Sequence, residues 1–294
     1  LALDPSGASL EPVTVNGVIE LGGYAVYGPV LEWLDDHGYN RTPNDLLQND
    51  IYAFAYDWRL GLAPRADDLK TWVTNLANPL NGAVASSCEV DIVAHSMGGM
   101  VSSLYVRSNP EHSRDHVYRL ITMGTPYLGT PQAAQAHTMG YVFGLNETYF
   151  WVNFDWGRML QMARNLTAGY TLMPSPNYFP ASGAWGYLRD LHTNPLTGYA
   201  NTFDFVTAPK VDGAGQPLGL GRNGALWNSE QASVHSQIDD WTGWSGPPQI
   251  FRIVGNTGAR TSVEWRLGPL SSNWYGRTDL RREPGDTDTH MFWR

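Results

Sequence analysis

The sequence predicts an α/β fold with a mostly parallel sheet and helices on both faces of that sheet. Strand-length apolar runs alternate with amphipathic segments of helix length through the first part of the chain, and this order is typical of βαβ units. An apolar run at 89–94 leads into a helix-length segment at 98–108, and the residues that flank this junction, Ala94, Gly98 and Gly99, are small. Small residues permit a sharp turn, so this junction is the most informative part of the sequence.

Each predicted element has its own signal. Residues 11–22 alternate in polarity around an Asn-Gly pair, which predicts a strand or hairpin. The predicted helices carry apolar side chains at helical spacing and lie at 29–38, 65–77 and 98–108. The predicted sheet strands are short apolar runs and lie at 50–56, 89–94, 117–123 and 249–254.

An aromatic-rich insertion separates the last of these strands from the others. Residues 141–200 are rich in aromatic residues, Gly and Pro and show no clear period. We therefore predict a first core segment at 1–131, an inserted cap or lid at 132–248, and a second, incomplete core segment at 249–294. Trp and Tyr are favoured at the interface between an apolar phase and water, so the cap is a candidate lipid contact. The alternative is that these aromatic residues form the ordinary core of a cap subdomain.

Composition excludes several classes of function. A formal net charge of −9 argues against a nucleic-acid partner, which needs clustered Lys and Arg. The single cysteine, Cys88, excludes an internal disulfide and a multi-cysteine metal cluster. His112 and His116 lack a third ligand at matching spacing, and we read them as a solvated turn. We expect no metal and no cofactor, and no apolar run approaches the roughly 20 residues of a membrane span.

The strongest chemical signal is the run A-H-S-M-G-G at 94–99. A serine between a buried strand and a helix, flanked by small residues, is typical of the strand–nucleophile–helix elbow. We predict that Ser96 is a nucleophile and that the Met97 amide is one oxyanion-hole donor. His95 is expected to point away from the nucleophile and to serve in packing and hydrogen bonding.

Two further motifs follow predicted strands. Residues 56–59 read Y-D-W-R, and residues 124–131 read G-T-P-Y-L-G-T-P. Both lie at carboxyl ends of strands, where α/β proteins build their sites. Asp57 and Arg59 are predicted to support the first of these loops by an ion pair rather than to act in catalysis.

Together, and in this order and spacing, the three motifs resemble the lecithin:cholesterol acyltransferase-like family, which includes phospholipid:diacylglycerol acyltransferases, lysosomal phospholipase A2 and related bacterial lipases. The resemblance is specific over 50–131 and looser elsewhere. It implies an α/β-hydrolase fold, a Ser–Asp–His triad, and transfer of a fatty acyl group from a phospholipid or other glycerolipid ester to an alcohol or water through an acyl-enzyme on Ser96. It also implies a lipid substrate at a membrane or lipoprotein-like interface, and a place outside the cytoplasm or at the membrane periphery.

The resemblance implies a triad acid in a G-D-x-T stretch, which makes Asp286 the expected acid and Asp288 a weaker choice. The family histidine lies some thirty residues beyond the acid, so His290 is only a weak candidate for the base. The other C-terminal histidines, His192 and His235, lie in the predicted cap and are read as surface or packing residues.

The family's first oxyanion donor lies upstream of these motifs, so we expect the sequence to be truncated at both ends. Two alternatives to the lipid acyltransferase or lipase therefore stay open. One is a carboxylesterase for small soluble esters, which would prefer monomeric to micellar substrate. The other is a catalytically incomplete lipid-binding fragment, which would retain lipid without turnover.

Overall fold

The computed structural model of the 294-residue chain describes residues 20–21, 24–25, 27–40, 50–83, 89–139, 163, 166–179, 188–190, 195–196, 200, 231–254, 263–267 and 292–293. The chain divides into two compact units. The elbow unit comprises Glu11–Thr125 and Thr242–Ile253, and the second unit comprises Leu1–Leu10, Pro126–Trp241 and Val254–Arg294. The domain boundaries given above, at 131/132 and 248/249, stay a prediction.

The elements are numbered in chain order. The strands are β1 Glu20–Leu21, β2 Tyr24–Ala25, β3 Val90–His95, β4 Val117–Met123, β5 Leu188–Asp190, β6 Pro195–Leu196, β7 Gln249–Ile253, β8 Val263–Leu267 and β9 Phe292–Trp293. The α-helices are α1 Gly28–Asp36, α2 Leu62–Ala83, α3 Met97–Ser108, α4 Pro110–His116, α5 Pro131–Met139, α6 Thr167–Thr171 and α7 Ala232–Ile238, and a 3₁₀ turn covers Pro176–Tyr178.

A parallel three-stranded sheet forms the centre of the elbow unit, in the order β3-β4-β7. In its register, His95 pairs with Met123 and Met123 pairs with Ile253. All three strands therefore reach their carboxyl ends at the same edge. Parallel strands linked through helices confirm the predicted α/β class, and β3, β4 and β7 lie where the sequence predicts them.

One face of this sheet is packed against helix. Ala94, Leu120 and Thr122 are buried on that face, where α3 contacts both β3 and β4. On the opposite face, Val93 and Phe251 are exposed. The core of the elbow unit therefore lies between the sheet and the layer formed by α2 and α3.

The apolar stripe of α2 explains why this segment is helical and where it packs. Leu62, Leu69, Val73 and Leu76 recur at helical spacing and are buried, and α2 packs on α3. The helix predicted at 65–77 is confirmed, with longer bounds in the structure.

The strand predicted over 50–56 is wrong. Residues 51–57 form no strand; instead the Tyr52 and Phe54 rings contact Trp72 of α2, with centroids 6.3 and 5.5 Å away. A short apolar run can be buried against a helix as well as within a sheet. Hydrophobicity alone therefore does not distinguish a strand from a loop that packs on a helix. In the predicted N-terminal hairpin, β1 and β2 pair antiparallel, whereas the predicted Asn-Gly turn lies outside the described residues.

A close backbone approach shapes residues 126–131, the part of the G-T-P-Y-L-G-T-P motif that belongs to the second unit. Gly129 has φ +85° and faces the Met173 carbonyl so closely that a Cβ has no room there. Around it, the Thr130 N–H donates to the Leu172 carbonyl at 2.8 Å, and the Ser175 N–H donates to the Leu128 carbonyl at 2.9 Å. Glycine at this position therefore lets the loop pair with residues 172–175.

A buried ionic network joins α7 to the same segment. The His235 and Asp239 side chains are each 3% exposed, with Nδ1 and Oδ1 2.6 Å apart. His235 Nε2 lies 2.8 Å from the Thr171 carbonyl oxygen. Ser175 Oγ and Asn177 Nδ2 both donate to Asp239 Oδ2, at 2.6 and 3.0 Å. His235 is therefore a buried packing residue in hydrogen-bond contact with Asp239, not a surface histidine.

Candidate active site

The junction between β3 and α3 forces Ser96 into an unusual backbone conformation. Ser96 has φ 53° and ψ −126°, and it is the one non-glycine residue with positive φ among those that the structure describes. A conformation of this kind costs a residue with a side chain about 1–3 kcal/mol. The geometry is that of a sharp strand-to-helix elbow with the serine at its apex.

Backbone hydrogen bonds hold the elbow at the carboxyl edge of the sheet. The Ser96 N–H donates to the Met123 carbonyl at 2.9 Å, and the Gly99 N–H donates to the Ser96 carbonyl at 3.0 Å. One strand further, the Gly124 N–H donates to the Ile253 carbonyl at 3.0 Å. The ends of β3, β4 and β7 are thereby tied together around Ser96.

The Ser96 hydroxyl is not used to cap α3. Serine at an N-cap commonly accepts a hydrogen bond from the first turn of its helix, yet Ser96 makes no side-chain cap bond. Met97 is the first residue of α3, so its amide is among those that have no partner inside the helix. The helix N-terminus also carries partial positive charge. The Ser96 hydroxyl is therefore followed directly by the Met97 amide, which can donate to an anionic oxygen.

The two glycines after Met97 have different neighbours. A Cβ at Gly99 would collide with the Thr125 side chain, whereas a Cβ at Gly98 would meet nothing nearer than the Tyr56 hydroxyl oxygen at 3.8 Å. Thr125 thus packs against the first turn of α3 only because position 99 has no side chain.

We predict that Gly99→Ala lowers the free energy of unfolding by about 1–3 kcal/mol, the usual cost of overpacking. Gly98→Ala is the matched control, because its new methyl group makes only ordinary contacts and it should change the stability by less than about 1 kcal/mol. Urea unfolding of both variants measures the difference. Equal stabilities would contradict the close contact with Thr125.

Two tyrosines and a histidine surround the elbow. The Tyr27 hydroxyl lies 3.1 Å from His95 Nδ1, and the two rings meet edge to face. His95 therefore makes the kind of hydrogen bond that the sequence predicts for it. Burial, with a smaller contribution from the Tyr27 phenol, raises the pKa of Tyr56 to about 12. No motif singles out Tyr27, whereas Tyr56 is the first residue of the Y-D-W-R motif.

Asp57 and Arg59 form a buried two-point ion pair. Arg59 Nε and Nη2 donate to Asp57 Oδ1 and Oδ2 at 2.8 and 2.6 Å, and the Arg59 backbone N–H donates to Oδ1 at 3.1 Å. Asp57 is 6% exposed and Arg59 is 4% exposed. The Arg59 hydrogen bonds and charge hold the pKa of Asp57 below its ordinary value, and the same hydrogen bond raises the pKa of Arg59. Support of the active-site loop by this pair stays a prediction.

This pair should make the stability acid-sensitive. Because the folded-state pKa of Asp57 is lowered, its carboxylate stabilises the fold fully above the unfolded value near 3.9, and the contribution is lost as pH falls through the lower folded value. We expect the stability gap between wild type and Asp57→Asn, followed by urea unfolding from pH 7 to pH 3, to shrink below about pH 4. The control is Asp68→Asn, a half-exposed partner of Arg65, for which the gap should stay near zero. A pH-independent gap for Asp57→Asn would contradict the assignment.

The interpretation of His112 as part of a solvated turn is wrong. Its Nε2 lies 2.8 Å from Thr74 Oγ1 and its Nδ1 lies 2.8 Å from the Tyr105 hydroxyl. Desolvation lowers the pKa of His112, and the charges of the neighbouring His116 and Lys70 lower it further. Packing of α4 against α2 and α3 buries this face, which a seven-residue polar helix does not reveal in its sequence.

No group of three or more metal-ligating side chains occurs within the described part of the chain.

The predicted acid and base lie elsewhere in the chain. Asp286, the weaker choice Asp288, and the candidate histidines His290 and His192 all fall outside the described residues. The structure therefore brings together Ser96, the Met97 amide and the Asp57–Arg59 loop within the elbow unit, and the rest of the triad stays a prediction.

Comparison with known proteins decides the family. A family model described as lecithin:cholesterol acyltransferase matches residues 11–204, well over half of the chain. The chain belongs to the lecithin:cholesterol acyltransferase family. All three motifs that carried the resemblance lie inside the matched range. The name of the family describes acyl transfer between lipids.

The fold of this lecithin:cholesterol acyltransferase family member is also found among solved structures. Thirteen chains match it, including one from the crystal structure of the Tle4–Tli4 complex, with a TM-score of 0.50 and 14% sequence identity. The alignment covers 82% of this chain and 56% of that one, so the chain spans little more than half of its length. The α/β-hydrolase class expected from the sequence is confirmed. No curated protein sequence matches significantly.

Of the helices in the described residues, none has the length and apolar character needed to cross a bilayer.

Proposed function

We propose that this protein is a serine-dependent lipid acyltransferase or lipase, which moves a fatty acyl group from a phospholipid or other glycerolipid ester to an alcohol or water. The observation that carries the proposal is the backbone of Ser96, which is held at φ 53° with its hydroxyl free of any cap bond. Strain at such a position persists only where the surrounding structure enforces it, and it concentrates at functional sites. Family membership supplies the substrate class.

The proposed chemistry proceeds through an acyl-enzyme. The Ser96 Oγ bonds to the ester carbonyl carbon, the π electrons move to the carbonyl oxygen, and the serine proton passes to a histidine base. When the carbonyl re-forms, the bond to the alcohol breaks and the alcohol takes that proton. A second alcohol or water then removes the acyl group from Ser96 by the same steps.

Other groups of the chain assist in this proposal. The Met97 amide donates to the developing oxyanion, which is the interaction that contributes most to such reactions. Asp286 orients the histidine base and balances its charge. His290 is a weak candidate for that base. Residues 132–248 form a cap that meets the lipid, while 1–131 and 249–294 form the hydrolase core. No metal or cofactor takes part.

A fluorophosphonate probe tests the proposal directly. We expect the folded protein to react once, with the adduct mapped by mass spectrometry to the peptide containing Ser96. We also expect faster turnover of micellar phosphatidylcholine than of a monomeric short-chain ester. Labelling together with a preference for the monomeric ester would instead identify a carboxylesterase. A folded protein that retains lipid but is never labelled would overturn the enzymatic proposal and favour a lipid-binding role.

A further inference from the structure

The Tyr56 hydroxyl lies beside the elbow and has no hydrogen-bond partner among the residues that the structure describes. The Tyr56 hydroxyl oxygen lies 3.8 Å from the position that a Cβ of Gly98 would occupy, which places it against the first turn of α3. Gly98 is the second residue of that helix, two positions after Ser96. The hydroxyl thus lies at ordinary van der Waals distance from this position of the helix.

The other tyrosines near this region use their hydroxyls within the fold. Tyr27 bonds to His95, and the buried Tyr105 bonds to His112. No hydrogen bond joins the Tyr56 hydroxyl to any residue of the described ranges. Tyr56 is only partly buried, so its hydroxyl can bond to water or to a bound ligand that displaces that water.

The Tyr56 ring is held in place from both sides along the chain. Phe54 stacks on it with centroids 5.8 Å apart, and Phe54 is itself packed on Trp72 of α2. On the other side, the next residue, Asp57, is locked to Arg59. A donor that is already oriented costs little reorganisation when charge develops beside it.

The hydroxyl is also in the right state to donate. Burial and the neighbouring Tyr27 phenol raise the pKa of Tyr56 to about 12. The phenol therefore keeps its proton across the pH range in which a serine hydrolase works. A permanently protonated phenol offers an O–H donor and adds no charge of its own.

We propose that Tyr56 is a catalytic donor, whose hydroxyl bonds to the carbonyl oxygen of the ester as Ser96 attacks, alongside the Met97 amide. This inference rests on the proposed function and adds a side-chain donor to the oxyanion hole. The proton stays on Tyr56 throughout; the bond strengthens as negative charge accumulates on the carbonyl oxygen, and it weakens again when the carbonyl re-forms. The donor missing from the sequence motifs is thereby supplied by the first residue of the Y-D-W-R segment.

Tyr56→Phe tests this proposal, because it removes the donor and keeps the ring. We expect kcat for a lipid ester to fall on the order of 10²-fold, the usual cost of one oxyanion-hole donor, with KM changed less than about twofold, since the bond is made mainly in the transition state. Binding of a phosphonate transition-state analogue should weaken by a similar factor. Tyr118→Phe, at the amino end of β4, is the control and should leave both values unchanged.

A second replacement separates a chemical role from a packing role. A fluorotyrosine at position 56 keeps the shape of the ring and lowers the pKa of the phenol, so the high-pH limb of kcat should move to lower pH. A Tyr56→Phe variant with wild-type kcat, or a fluorotyrosine variant with an unmoved limb, would overturn the proposal. If the wild-type protein labels at Ser96 and turns over lipid while Tyr56→Phe matches it, only the inference about Tyr56 fails. If the wild type neither labels nor turns over lipid, the proposed function fails and the inference falls with it.

Discussion

Replacing Ser96 with alanine is expected to lower the turnover of lipid esters by roughly 10⁴- to 10⁶-fold, because the acyl-enzyme has no other place to form. Fluorophosphonate labelling should disappear completely. The free energy of unfolding should stay within about 1 kcal/mol of the wild-type value, since Ser96 makes no cap hydrogen bond that alanine would remove.

Ser108→Ala is the matched control for this variant. Ser108 is an exposed serine at the C-terminal end of the same helix, and its replacement should leave kcat, labelling and stability close to wild type. Turnover is measured with radiolabelled phosphatidylcholine in mixed micelles. Activity of Ser96→Ala within tenfold of wild type would exclude Ser96 as the nucleophile and leave the strained backbone without a catalytic explanation.

Asp239→Asn is expected to be the most destabilising substitution in the second unit. The side chains of Asp239 and His235 are both almost fully buried, and Asp239 accepts two further hydrogen bonds, from Ser175 and Asn177. The amide of asparagine replaces one carboxylate oxygen with a donor, so buried groups lose their acceptor, at a cost of about 1–3 kcal/mol for each group left unsatisfied. The loss should appear as faster amide exchange in α7 and in residues 171–177.

The neighbouring exposed residue provides the control. Asp240→Asn changes the same charge one position further on, outside the buried pair, and should alter stability by no more than about 0.5 kcal/mol. A double-mutant cycle with His235→Gln then isolates the coupling between the two partners. Additive effects would show that the 2.6 Å contact contributes nothing beyond its two separate side chains.

The elbow could be predicted from sequence because its signal is local. A buried strand, a small-residue turn and a helix occupy consecutive positions at 90–108, and the positive φ at Ser96 follows from joining them in so few residues. The strands at 117–123 and 249–253 were also predictable, since each is a short apolar run bounded by turn-forming residues.

What escaped prediction depends on packing between distant segments. The run at 50–56 looks like a strand, but its aromatic rings pack on Trp72 of α2. The sequence predicts a solvated His112, but Thr74 of α2 lies within hydrogen-bond distance of its ring. The Asp239 network likewise joins positions some sixty residues apart, and no periodicity reports such a pairing. Tyr56 belongs to a motif that the sequence shows, but the position of its hydroxyl beside the first turn of α3 is known only from the structure.

The backbone at Ser96 has a consequence for how this sequence evolves. Glycine adopts positive φ without the cost that serine bears, so Ser96→Gly would be favoured at this position if stability were all that selection acted on. Proteins lie only slightly above the stability that they need, and a persistent cost of about 1–3 kcal/mol is a measurable fraction of that margin. In a lineage that kept the fold only to hold lipid, the serine would be free to drift toward glycine. Serine in this chain is therefore the residue expected where selection has retained a hydroxyl group at the expense of stability.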